Sequence, residues 1–427
     1  MQRLTRQGTG RALVFLYATV CVACAPASPT STSGRADSPT VVLLSMDGTR
    51  PADVSNETLP TLVALGKRGA TAAGMIPVFP TNTFPNHVTL VTGVEPDRHG
   101  IVNNVFFDPE DGLFRYENEP GWIEVEPLWA IADRYGVVSA SFHWIGSEGN
   151  WTNGHGPRYW KHFDRNVDEM EKVDQILEWI DRDPSSGRPR LITSWFRGAD
   201  RDAHRDGPGA ESARAALRRQ DRALAHLVAE LDRRNAFDST ILLIVSDHGM
   251  LPVADVIDLN AVFRESDIPA HAVGGGGLAL VYAEGSRNGA GHAETIDRAI
   301  AAARAQGLRA SRRGPSLDGF STENPRFGDA FVLAPVGTAI SSISGPPMRG
   351  SHGYHPDEPG MAALLVAVGA GIPAGTALPS VRTLDVAPTI LTWLSIPPPE
   401  WMQGRPIAGL VTAESEPRSP DETDETR

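Results

Sequence analysis

The chain is poor in cysteine, in lysine and in long apolar runs, and each shortage excludes something. Its 427 residues hold two cysteines, Cys21 and Cys24, both in the first apolar segment. The body therefore has no disulfide and no thiolate metal site, so any metal must be held by His, Asp or Glu. Lys67, Lys161 and Lys172 are the only lysines, and nearly all positive charge is arginine. The formal net charge is -13. An acidic surface repels phosphate backbones, which excludes long nucleic acid as the main partner but not a small phosphate ester held by metal ions. With 41% hydrophobic and 21% charged residues the composition is that of an ordinary globular protein, neither disordered nor multi-span. A divisor of ~150 residues per domain suggests two or three domains.

Arg3, Arg6 and Arg11 precede the apolar run Ala12–Val22, which ends in small residues. This is the order of a secretory signal, and the run is well short of the ~20 residues that span a bilayer. Its end, Cys21-Val22-Ala23-Cys24, resembles a bacterial lipoprotein signal, with Cys21 where Leu is usual. Two outcomes stand open: lipidation at Cys24, giving membrane anchoring, or simple cleavage after Ala27. The expected organisation is a leader at 1–24, a Pro/Ser/Thr-rich tether at 25–39, a catalytic domain at 40–411 and a disordered acidic tail at 412–427. The expected location is exported, either periplasmic or lipid-anchored to the cell envelope.

Short apolar runs at Val41–Ser45, Val137–Phe142, Leu191–Trp195, Ile241–Val245 and Ala362–Val368 read as buried parallel strands. Helical patterns lie at Pro60–Gly69, Met170–Ile180, about Ala210–Asn235 and about Leu384–Leu394. This alternation predicts an α/β fold: a doubly wound, mostly parallel sheet with helices on both faces. The stretch 251–344 breaks the pattern and reads as an inserted smaller α+β lobe, with a helix at about Ala293–Gln306 and a strand at Ala330–Pro335.

In open α/β sheets ligands bind beyond the carboxyl ends of strands. Asp47 follows Val41–Met46, Asp247-His248-Gly249 follows Ile241–Ser246, and Asp200 with His204 follows Leu191–Phe196. Any one of these is unremarkable as a helix cap or a turn; their recurrence at one sheet edge is not. They assemble into two three-ligand sites: Asp47, Asp247 and His248, and Asp200, His204 and His352. Three N/O ligands with an open position suit catalytic zinc, and also admit manganese or iron. Two such metals ~4 Å apart can clamp the attacking and leaving oxygens of an in-line phosphoryl displacement. The candidate nucleophile is Thr83 in Pro80-Thr81-Asn82-Thr83-Phe84-Pro85-Asn86-His87. Pro85 fits a first helical turn, which places Thr83 where backbone amides and the helix dipole favour an anion. A metal on its Oγ would activate it.

These motifs resemble those of the nucleotide pyrophosphatase/phosphodiesterase family of the alkaline phosphatase superfamily. The similarity runs from about Val41 to Ile407. It is densest in Ser45–Gly48, Pro80–His87, Pro96–Asn104, Asp247–Met250 and Gly350–Tyr354. The resemblance implies an alkaline-phosphatase-like fold and two Zn2+ per chain, held by the two triads above. It implies Thr83 as the nucleophile, itself in contact with one zinc and carrying a covalent phosphothreonine. Asn104 would donate to a non-bridging phosphoryl oxygen, with Asn103 the less favoured choice. Phe84 and Phe163 would stack a substrate base. Ala203 departs from the family's Gly in Asp200-Arg201-Asp202-Ala203-His204, which leaves Asp202 as a rival to Asp200. The implied substrate is a small nucleotide diester or pyrophosphate. Alternatives on the same machinery are a lipid or choline phosphodiesterase and a phosphonate hydrolase. A metal-binding protein without catalysis is disfavoured by the intact motif set.

Overall fold

The computed structural model describes residues 38–285, 289–314, 320–341 and 348–411. The expected leader with Cys24, the tether up to residue 37 and the acidic tail lie outside these residues.

An eight-stranded sheet organises the fold. Its spatial order is Thr376–Leu378, Ala70–Ala72, Leu365–Gly369, Thr240–Val245, Thr40–Met46, Leu191–Phe196, Ser139–Phe142 and Tyr159–Lys161. Thr40–Met46 pairs in parallel with Leu191–Phe196 on one side and with Thr240–Val245 on the other. Ser139–Phe142 and Tyr159–Lys161 continue the parallel run. One expectation is corrected. The run at Ala362–Val368 forms the strand Leu365–Gly369, and it is antiparallel to Thr240–Val245, with Leu365 opposite Val245. A continuous apolar run records burial on both faces but not direction. The chain returns from the inserted region at the carboxyl edge of the sheet, where Ser246 N–H donates to Leu364 C=O, so it can only enter running backwards.

Strand alternation divides the core into two layers. Val41 and Leu43 face one layer, built with Val88 and Val91 of the helix Thr83–Thr92 and with Ile390 and Leu391 of the helix Val386–Trp393. Val42, Leu44 and Met46 face the other, built with Val173 and Ile176 of the helix Glu169–Ile180 and with Leu224, Leu227 and Leu231 of the helix Glu211–Arg233. The last helix also carries buried Asp221, whose carboxylate accepts from Thr61 N–H at 3.0 Å and Thr61 Oγ1 at 2.8 Å. It thereby caps the helix Pro60–Arg68, whose own N-cap position is Leu59 and offers no acceptor. The fold is thus α/β with helices on both faces of a mostly parallel sheet.

The stretch after Leu251 builds a second, four-stranded antiparallel sheet from Ala270–Gly275, Leu278–Ala283, Ala330–Leu333 and Arg309–Arg312. The helix His292–Ala305 packs on it, and the two share a separate core that includes Val281, Ile296, Ala299 and Val332. The chain comes back to the main sheet through Gly350–Ser351, which pairs with Leu251–Pro252. That return sets His352 at the carboxyl edge.

His99 reports on the packing under this edge. Its Nε2–H donates to Thr89 Oγ1 at 3.0 Å and its Nδ1 accepts from Ile101 N–H at 3.2 Å, so the neutral ring is fully satisfied. Burial, with a smaller contribution from the Arg326 charge, pushes its pKa down to about 3. An unfolded-chain histidine titrates near ~6.5. As pH falls through that value the unfolded state gains a proton that the folded state refuses. The stability from this residue is full above about pH 6.5 and is lost as pH falls towards 3, at ~1.4 kcal/mol per pH unit. His99→Gln should flatten the unfolding free energy against pH between about pH 6 and 4, measured by urea titration. An unchanged slope would show that His99 is not held neutral.

Candidate active site

The parallel register levels the strand ends. Ser45 lies opposite both Trp195 and Val245. Asp47 is two residues past Ser45 and Asp247 is two past Val245, so the two carboxylates emerge side by side. Asp47 N–H donates to Phe196 C=O at 3.0 Å, and Gly48 N–H donates to Asp247 Oδ1 at 3.0 Å. Two glycines allow this crowding. Gly198 has φ +68°, and a Cβ there would lie 2.0 Å from Asp47 C=O; Gly48 has φ +65°, and its Cβ would lie 3.1 Å from the Asp200 side chain. Asp200 opens the helix Asp200–Asp206 and projects His204 one turn on.

Three imidazoles converge on these acids in one orientation. His248 Nδ1–H donates to Gly249 C=O at 2.8 Å, His204 to Gly350 C=O at 2.8 Å, and His352 to Thr81 C=O at 3.0 Å. Each hydrogen bond fixes the tautomer and turns the Nε2 lone pair inward. His248 Nε2 lies 3.1 Å from Asp247 Oδ2 and 3.7 Å from Asp47 Oδ1. His204 and His352 Nε2 lie 3.4 and 3.8 Å from Asp200 Oδ1. The ligand atoms of Asp200, His204 and His352 fall within 4.8 Å of one another, and so do those of Asp47, Asp200 and His248. Asp200 thus stands between the two expected groups, because the Gly48 and Gly198 turns bring its helix against Asp47. Asp202 faces elsewhere and pairs with Arg205 at 2.8 Å and Arg219 at 3.4 Å.

The donor set fits divalent cations. Asp47 Oδ1, Asp200 Oδ1 and Asp247 Oδ2 are buried and accept no hydrogen bond. Burial, reinforced by the Asp247 and Asp200 charges, raises Asp47 well above the usual carboxylate range. Burial acts on Asp247 in the same sense, but His248 and His87 outweigh it and hold that carboxyl well below the range. Burial, then the neighbouring His248 and His204, keeps His352 well below the ordinary imidazole value and hence neutral. Clustered carboxylate oxygens that accept no hydrogen bond, facing inward imidazole nitrogens, are balanced by positive charge at that point.

Thr83 begins the helix Thr83–Thr92, after Asn82 in extended conformation. Its Oγ1 lies 3.2 Å from His248 Nε2. The next amide, Phe84 N–H, donates to Asn104 Oδ1 at 2.8 Å. The first amide of that helix end is thus taken up by Asn104. Asn104 lines both the cavity that holds Thr83 and the one adjoining it. Asn103 is buried, and its Oδ1 accepts from Asn82 Nδ2 at 2.7 Å and from Asn104 N–H at 2.8 Å. Both asparagines line the second cavity, but only Asn104 also lines the cavity that holds Thr83.

A cavity of about 420 Å³ contains Thr83, Asp47, Asp200, His204 and His352 with Phe84 and Phe163 in its wall. Phe84 is buried and meets Phe114 and Tyr116 edge-on, at ring separations of 5.8 and 5.3 Å. Phe163 stacks on Trp195 at 5.7 Å with the planes 21° apart. A second cavity of about 480 Å³ adjoins the first at Asn104, Tyr116, His204 and His352, walled by Gly274–Gly276.

Three residues of this site escaped sequence reasoning. Trp195 Nε1–H donates to Asp47 Oδ2 at 3.0 Å, which leaves Oδ1 as the free oxygen. His87 Nδ1–H donates to Thr83 C=O at 2.9 Å and lies 3.4 Å from Asp247 Oδ2. Tyr116 lines both cavities from the end of the hairpin Val105–Asp108/Gly112–Arg115. The His87 spacing four residues after Thr83 was a usable signal. Nothing local marks Trp195 or Tyr116, whose partners are remote in sequence.

The chain is similar to known proteins in sequence and in fold. Residues 41–355 match the model of the family described as type I phosphodiesterase/nucleotide pyrophosphatase. An uncharacterized pyrophosphatase/phosphodiesterase of Schizosaccharomyces pombe is 35% identical over 238 residues, 54% of this chain and 49% of the relative. Human ectonucleotide pyrophosphatase/phosphodiesterase family member 1 is 33% identical over 221 residues, 50% of this chain and 24% of the relative. The matches thus span half or less of the curated relatives' length. Murine ectonucleotide pyrophosphatase/phosphodiesterase 5, an inactive variant solved in complex with AMP, superposes with a TM-score of 0.76. It is 21% identical, and the overlap covers 84% of this chain and 96% of that one. By the extent of the family match and by its fold, this chain belongs to the type I phosphodiesterase/nucleotide pyrophosphatase family.

Proposed function

We propose that this chain is an exported two-zinc phosphodiesterase that hydrolyses nucleotide diesters or pyrophosphates. The observation that carries the reading is the convergence of Thr83 Oγ1, three inward Nε2 lone pairs and three unpartnered carboxylate oxygens at one sheet edge. Asp47, Asp247 and His248 would hold one zinc together with Thr83; Asp200, His204 and His352 would hold the other. The zinc ions, when bound, supply Lewis acidity that lowers the pKa of a hydroxyl or water and offsets phosphoryl charge.

The chain's own groups then divide the work. Thr83 Oγ1 attacks phosphorus in line, a P–O bond forms, and the leaving alcohol or nucleotide departs with its oxygen. Water then cleaves the phosphothreonine and restores the hydroxyl. The Asn104 amide, held by the Phe84 N–H on its oxygen side, turns its Nδ2 towards a non-bridging oxygen. A neutral donor there suits the single negative charge of a diester. Phe84 and Phe163 would flank the base; base–aromatic stacking contributes ~1–3 kcal/mol per base. Trp195 and His87 position Asp47 and Thr83. The AMP held by the murine relative supports a nucleotide ligand. Export rests on the leader sequence, together with the names of the ectonucleotide relatives. We further propose one catalytic unit over 40–411 with an inserted lobe at 251–344.

Thr83→Ala should abolish turnover while metal content stays at about two per chain, read by elemental analysis; retained turnover rejects the nucleophile. Thymidine 5′-(4-nitrophenyl phosphate) should be cleaved faster than 4-nitrophenyl phosphate by about tenfold or more in kcat/KM. The reverse order would make the protein a monoesterase, and a still faster phosphocholine ester would favour the lipid alternative. Zinc added to chelator-treated protein should raise Tm until about two equivalents are bound, and Asp200→Ala should weaken that response. A Tm indifferent to zinc removes the metal assignment.

A further inference from the structure

Three arginines in the cavity that holds Thr83 pair with no acid among the described residues. Arg165, Arg197 and Arg201 line the cavity that holds Thr83, Phe84 and Phe163. They come from three places: the loop after Phe163, the residue just past the strand Leu191–Phe196, and the first turn of the helix Asp200–Asp206. Among the described residues none of them lies within ion-pair distance of a carboxylate, although Asp47 and Asp200 share the cavity with them. Their neighbours differ. Arg205, one turn after Arg201, pairs with Asp202 at 2.8 Å and Asp206 at 2.6 Å. Arg219 reaches Asp202 at 3.4 Å.

Arg165 and Arg197 lie on the aromatic side of the site, and Arg201 enters from the helix that carries Asp200. Arg197 lies 5.8 Å from the centre of the Phe163 ring and donates from Nη1 to Arg165 C=O at 3.2 Å. That contact holds Arg197 beside the ring assigned to the base and ties it to the Arg165 backbone. Like charges gathered in a half-enclosed cavity repel, and in a chain of net charge -13 acids to neutralise them are plentiful. An anion delivered by a ligand would relieve that repulsion, and guanidinium groups suit phosphate by their planar, forked donors.

We propose that Arg165, Arg197 and Arg201 form an anion subsite for a second, non-scissile phosphate carried on the sugar of the bound nucleotide. This rests on the nucleotide reading above and narrows it. The favoured substrates are nucleotides with a further phosphate on the nucleoside side, either a terminal phosphate on the sugar or the next diester of a dinucleotide. The scissile bond remains the one facing Thr83.

The test uses the full chain with its metals and three substrates. These are thymidine 5′-(4-nitrophenyl phosphate), the same ester with a 3′-phosphate, and the same ester extended at its 3′-oxygen by a second thymidylate. The 3′-phosphorylated ester should exceed the parent in kcat/KM by about tenfold, more at low salt than at high. The extended ester tells whether a diester satisfies the subsite as well as a terminal phosphate does. In Arg165→Ala/Arg197→Ala and in Arg201→Ala the ratio of phosphorylated to parent ester should fall towards one. Arg197→Lys, which keeps the charge and loses the fork, should retain part of it. A wild-type ratio near one, or a ratio unmoved by the alanine variants, overturns the subsite. So does a fast cleavage of 4-nitrophenyl phosphate that these variants abolish, because the arginines would then serve the reacting phosphoryl group. If no nucleotide ester is cleaved at all, it is the nucleotide reading that fails, and the subsite fails with it.

Discussion

The parallel pairing of Thr40–Met46 with both of its neighbours sets the spacing of the acids in the site. It levels three strand ends, so that Asp47 and Asp247 leave the sheet side by side and the Asp200 turn folds against them. A one-residue slip on any strand would reverse which side chains face the two core layers. The register is therefore locked by the burial of Val41 to Met46 on both faces, far from any chemistry. The acids are held close at a cost that the apolar layers offset. Burial raises Asp47, and a cation is what such a cluster requires.

Around that frame most polar contacts serve orientation. His204, His248 and His352 each spend Nδ1–H on a backbone carbonyl, and Trp195 spends its indole N–H on Asp47 Oδ2. The result is a set of acceptor atoms without donors. Asn104 is fixed in the same way by Phe84 N–H. The aromatic wall is continuous with this shell, since Phe163 stacks on the same Trp195 that steadies Asp47. Contact with a ligand at Phe163 is thus mechanically close to a metal-ligand candidate. The arginines on that side lie within reach of whatever the aromatic wall holds.

Much of this was legible in the chain. Apolar runs of β-branched residues and leucine marked the strands, and helical periodicity marked Glu211–Arg233 to within two residues of its ends. Asp and His immediately after strands identified the edge where ligands bind. The direction of Leu365–Gly369 was not legible, because an apolar run looks alike in either sense; its entry from the carboxyl edge decided it. The partner of the first amide of Thr83–Thr92 was not legible either. Asn104, twenty residues on, takes it, and no local pattern announces that contact.

The sequence by itself determined which residue types stand at the strand ends, and so the chemistry available: oxygen and nitrogen ligands, no thiolate, a hydroxyl before a helix. These follow from near neighbours and from periods of two and 3.6 residues, which are local properties of the chain. Only the tertiary structure decided which nitrogen of each histidine faces inward and which oxygen of Asp47 is free. It also decided that Asp202 turns away to Arg205 and Arg219, and that three arginines line the cavity of Phe163 without an ion-pair partner among the described residues. Those outcomes depend on partners brought together by folding across long separations. A hydrogen bond or ion pair of that kind has no period and leaves no trace in the residues beside it.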